Sequence, residues 1–110
     1  MIDKTLDNIK ETVAAAPTLS AEKRVELLAL IAQLRAEITK LSETHRESAL
    51  KIVDITHAST RHAIREDKDR QQLDSSLEDL FGLVKGFETS HPGLVSTINS
   101  FCNALADIGI

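Results

Sequence analysis

Leu41-Ser42-Glu43-Thr44-His45-Arg46-Glu47-Ser48 lies inside a run, residues 18 to 81, that holds neither glycine nor proline. Those two residues are the strongest breakers of regular structure. Upstream of the octapeptide, Leu27, Ile31, Leu34, Ile38 and Leu41 recur at spacings of 4, 3, 4 and 3. Downstream the same frame continues through His45, Ser48, Ile52, Ile55, Ser59 and His62. Such a rhythm draws one stripe along one helix face. A competing signal sits in the octapeptide itself, because Thr44-His45-Arg46-Glu47 matches a capping box and would start a new helix. The unbroken phase of the stripe favours one continuous helix from Ser20 to near Asp67, roughly 70 Å long at the standard rise.

A rod of that length cannot cover its own stripe in a short chain. The expected architecture is therefore all-α: two helical hairpins joined through one long helix, in an elongated, coiled-coil-like oligomer. The expected oligomer interface is Leu34, Ile38, Leu41, His45, Ser48, Ile52, Ile55, Ser59 and His62. Within a single domain spanning 1–110, residues 1–41 form an N-terminal hairpin, 42–70 a long-helix extension and 71–110 a C-terminal hairpin.

Outside the rod the helices are short. Ile2, Leu6, Ile9 and Val13 mark the first, ended by Pro17, which pushes its predecessor out of helical geometry. Ser20 is positioned to cap the second. Ser75-Ser76-Leu77-Glu78 forms another capping-box pattern, placing a joint at 68–75 and a helix from about Ser76 to Glu88. On that helix Leu77, Leu80, Phe81, Val84 and Phe87 are expected to face inward. Gly82 and Gly86, four apart, predict close packing of another helix, as in small-xxx-small crossings. Ser90-His91-Pro92-Gly93 opens the last helix, with proline suited to the first helical position and Ser90 or His91 as cap. Its apolar stripe is Leu94, Ile98, Phe101, Leu105 and Ile108. Gly109 is expected to stop it.

Composition narrows the function. Net charge is −4, with five basic against three acidic residues in 40–65 and three against eight in 66–110. The mild basic excess of the middle is far from the dense face of a nucleic-acid binder. The longest apolar run, Leu27 to Ala32, is far too short to span a bilayer. The second helix is amphipathic but lacks the Trp and Phe anchors of interfacial helices. A lone cysteine, Cys102, forms no internal disulfide and reads as a small core residue. Met1-Ile2-Asp3-Lys4 lacks the order of a signal peptide, so cytoplasmic residence is expected.

Histidines are the one invitation to a site. His45 and His62 fall on the stripe where an aliphatic residue would otherwise sit, and His57 lies off it. Helical metal sites favour His at i,i+4 or inward Glu-x-x-His pairs, and neither spacing occurs. The simpler reading makes the stripe histidines polar residues that set register and oligomer state. Protonation of such a row would also repel. No glycine-rich phosphate loop, paired-cysteine motif or nucleophile–base arrangement is present. No cofactor and no catalysis are expected.

Phe87-Glu88-Thr89-Ser90-His91-Pro92-Gly93-Leu94, then Ile98-Asn99 and Ala104-Leu105-Ala106-Asp107-Ile108-Gly109-Ile110, resembles the ending of a family of small bacterial helical proteins of unknown function. Members of that family finish with a Phe-acid-x-x-His-Pro segment and a Leu-Ala-rich helix ending Gly-Ile. The proline-turned N-terminal hairpin is similar too, and residues 42–70 depart from the pattern as extra helical material. The resemblance implies a small soluble bacterial helical protein and carries no activity with it. The function expected is a structural or protein-interaction module that associates with itself as a dimer or tetramer, or with another protein. A ligand- or metal-binding bundle using His45, His57 and His62 is the competing reading, and a regulator of a neighbouring enzyme a third.

Overall fold

The computed structural model describes residues 2–65 and 69–108, and the described residues form five α-helices. These are α1 (Ile2–Ala15), α2 (Ala21–Ser42), α3 (Arg46–Ile64), α4 (Arg70–Lys85) and α5 (Pro92–Ile108). The particle measures 37 × 24 × 21 Å. A straight helix of about 70 Å has no place in it, and the expected rod is in fact two helices, α2 and α3, that pack on one another. The stretch expected near Asp67 and the stop expected at Gly109 lie outside the described residues.

The break falls within the octapeptide. The last turn of α2 tightens as Glu43 N donates to the Lys40 carbonyl and Thr44 N to the Leu41 carbonyl. His45 then leaves helical geometry at φ −136°, ψ 62°, and its carbonyl accepts from Ala49 N as the first bond of α3. Thr44 does not act as the capping-box residue. Its hydroxyl bonds His45 Nδ1 at 2.8 Å, and α3 starts with no side-chain cap. No glycine or proline is needed, because burial of both stripes within one chain outweighs the few bonds of a continued helix.

Residues 46–64 are the centre of the fold rather than an extension, since α3 packs against all four other helices. Its buried residues are Ala49, Ile52, Val53, Thr56, Ser59, Thr60 and Ala63. They are mostly small, which lets neighbouring helices approach closely. The buried hydroxyls are satisfied locally. Thr56 donates to the Ile52 carbonyl and Thr60 to the Thr56 carbonyl, both at 2.7 Å. This i−4 bonding lets threonine sit inside a helix bundle without an orphaned polar atom. Ser59 and Ser76 share a hydrogen bond at 2.6 Å, tying α3 to α4.

Leu6, Ile9 and Val13 of α1 and Leu27, Leu34, Ile38 and Leu41 of α2 are fully buried. At the α1–α2 turn Ser20 accepts from Lys23 N, the cap expected there. The Arg24 guanidinium donates to the Ala16 and Leu19 carbonyls and binds the turn to α2. Thr18 donates to the Ile64 carbonyl, satisfying the end of α3. Arg35 bridges α2 to α1 through Asp3 and Asp7 at 3.3 and 2.6 Å.

The joint before α4 also differs from expectation. Asp69 caps that helix, its carboxylate accepting from Gln71 N and Gln72 N. The capping-box pattern at Ser75 therefore lies inside α4, and Ser75 is exposed rather than capping. Helix α5 begins at Pro92, with the His91 carbonyl accepting from Leu94 N and Val95 N. Ser90 is exposed. A methyl group at Gly93 would stand 2.6 Å from Glu37 Oε1, so glycine there admits the α2 carboxylate to the start of α5, where the helix dipole favours an anion.

Candidate functional site

The expected interface is mostly inside the monomer. Leu34, Ile38, Leu41, Ile52 and Ser59 are fully buried within one chain, so they cannot form a contact between copies. Ser48, Ile55 and His62 are half-buried and His45 is exposed. Folding back at His45 explains this change, since a stripe continuous in sequence becomes two stripes facing a common core.

His45, His57 and His62 are not brought together. His45 precedes α3, and His57 and His62 lie on it. At the standard rise His45 and His62 stand roughly 26 Å apart along one helix, beyond the reach of any single ion. His45 instead meets the α4–α5 link. Its ring packs edge-on to Phe87 at 5.2 Å and to His91 at 6.4 Å, and Phe87 to His91 at 6.0 Å. Among the described residues no group of three or more His, Cys, Asp or Glu is placed to hold a metal ion. Burial and the neighbouring Arg61 cation push the His57 pKa below its usual value, with Asp54 opposing.

A different face has the character of a binding site. A groove of about 510 Å³ runs between α4 and α5, lined by Leu77, Glu78, Phe81, Gly82 and Lys85 on one wall and Cys102, Asn103 and Ala106 on the other. Core duty on α4 falls to Leu73, Leu80 and Val84. That leaves Phe81 off the core face and 39% exposed, against the inward placement expected of it. On α5 the buried residues are Leu94, Thr97, Ile98, Phe101, Ala104 and Leu105, and Cys102 and Ala106 face the groove instead. Cys102 is thus a half-buried wall residue, and burial pushes its thiol up to about 11. It stays protonated at neutral pH and is a poor nucleophile.

Gly82 and Gly86 overturn the close crossing expected of them within the chain, because a methyl group built on either meets nothing within 4 Å. Gly82 opens the groove, and Gly86 ends α4 as its C-cap. Arg70 holds the other end of the two-helix unit, donating to the Ala106 carbonyl at 3.1 Å while pairing with Asp74. Pattern reading missed the groove because an extra aromatic beside a leucine-rich face reads as core. The available signal was the adjacency of Phe81, the larger residue, to Gly82, the smallest.

Among the described residues no helix is long and apolar enough to cross a membrane. No family model, no curated protein and no solved structure matches the chain.

Proposed function

We propose that this protein is a binding module whose α4–α5 groove docks another protein surface. One observation carries the reading: a large aromatic, Phe81, stands 39% exposed on the wall of an apolar groove while Phe101 and eleven leucine and isoleucine side chains are sealed inside the bundle. Isolated exposed apolar residues are ordinary, whereas an aromatic beside a concave apolar face is the composition of an interaction hot spot. Glu78 and Lys85, which also line the groove, add directional polar groups to that apolar surface. The groove's one thiol is held protonated by burial. Those features suit binding rather than covalent chemistry.

A photo-crosslinking residue in place of Asn103, on the groove wall, tests this in the native cell. The reading expects a discrete protein adduct that disappears in a Phe81→Asp background. Absence of any adduct, or an adduct indifferent to Phe81, contradicts it.

A further inference from the structure

Building on that groove reading, we infer that the occupant is a second copy of this chain, seated antiparallel on α4 about a two-fold axis at Phe81 and Gly82. Glu78 lies three residues before Phe81, and Lys85 three residues after Gly82. These four positions fall at i, i+3, i+4 and i+7, one face of α4. Antiparallel pairing reverses their order, so each Glu78 meets the other copy's Lys85, and the two-fold makes that pair twice. Parallel pairing would set like charges side by side, which opposes it. The charge pattern of this one helix is therefore complementary to itself in one direction only.

Shape agrees with charge. Each copy offers one part-exposed ring, Phe81, and one recess between Gly82 and the small wall residues Cys102 and Ala106. A two-fold contact needs that equal count of knob and hole. Gly82 supplies a third argument. Inside a helix it costs about 1 kcal/mol relative to alanine, and nothing among the described residues lies close enough to require its missing side chain. Close approach of an outside backbone is what the missing side chain permits. The contact uses one groove and one helix face, the small end of specific interfaces, on the order of 1,200 Å² or less. It forms a weak, exchanging dimer.

Analytical ultracentrifugation of the full chain from low micromolar to millimolar concentration tests the inference, with circular dichroism melts confirming that each variant is folded. The wild-type mass rises towards that of two chains. Phe81→Asp, at an exposed position, and Gly82→Leu each weaken association by about tenfold or more. Glu78→Lys and Lys85→Glu each weaken it, and the two together restore it, because the reversed charges again face one another. A wild-type chain that stays single, or a dimer unmoved by Phe81→Asp and the charge swap, overturns the inference. The mass of the Asn103 crosslink separates the two levels of claim. An adduct with a different protein overturns self-association and leaves the groove reading standing, whereas no adduct removes both.

Discussion

Helices α2 and α3 are neighbours in one glycine- and proline-free run, yet they enter the core by opposite means. Helix α2 buries large aliphatics: Leu27, Ile31, Leu34, Ile38 and Leu41. Helix α3 buries Ala49, Ser59, Thr60 and Ala63 with only Ile52 and Val53 as larger apolar residues, and yet touches every other helix. The first drives collapse by the area it removes from water. The second permits collapse, because short side chains with locally satisfied hydroxyls let four neighbours pack around one axis. Hydrophobicity along the chain therefore measures how much a helix contributes to burial, and it says little about how central that helix is.

The contrast breaks or sharpens under substitution. Leu34→Ala in α2 removes a fully buried side chain and is expected to cost about 2–5 kcal/mol, measured by urea unfolding. Ser59→Leu in α3 overfills a tight junction and loses the bond to Ser76. The expected cost is about 1–3 kcal/mol, although the same change raises hydrophobicity. A solvated α3 would instead be stabilised or unaffected by it. Gly82→Ala, where a methyl group meets nothing, is expected to raise monomer stability by about 0.5–1 kcal/mol. Thr56→Val keeps shape and removes a hydroxyl bonded only to its own helix, so a change below about 1 kcal/mol is expected.

A smaller effect is set by pH. His57 resists protonation in the folded chain because of burial, with Arg61 reinforcing it. The unfolded chain binds the proton more readily, so this contribution is complete above the ordinary histidine pKa and is lost as pH falls from there through the lowered value of the folded chain. Stability is expected to decline modestly on acidification from neutral pH, and His57→Gln to flatten that part of the profile.

Much of the helical content was legible. Pro17, the Ser20 cap, the α2 stripe and Pro92 at the start of α5 all act through local geometry that a sequence displays. The break at His45 was not legible in the same way. Its cause is global: the gain from burying both stripes in one particle exceeds the bonds lost over three residues, and the one local hint, the capping-box pattern at Thr44, lies a residue from the actual cap position His45 and does not form the cap. The correct burial phase of α3 was also hidden. Ala49, Thr56, Thr60 and Ala63 look neutral or polar, so the more visible Ser48, Ile55 and His62 frame drew the stripe to a flank. At the groove, Leu77 packs partly against the core as expected, whereas Phe81 carried the right chemistry and the wrong destination, since it lies off the core face of α4.

Native-state hydrogen exchange on α3 tests the central claim most directly. With a polar-looking helix at the middle of the bundle, the amides of Val53, Thr56, Ser59 and Thr60 exchange only through global unfolding, as slowly as those of Leu34 and Ile38. Exchange of those α3 amides many-fold faster than α2, as in a solvated outlying helix, would contradict the account.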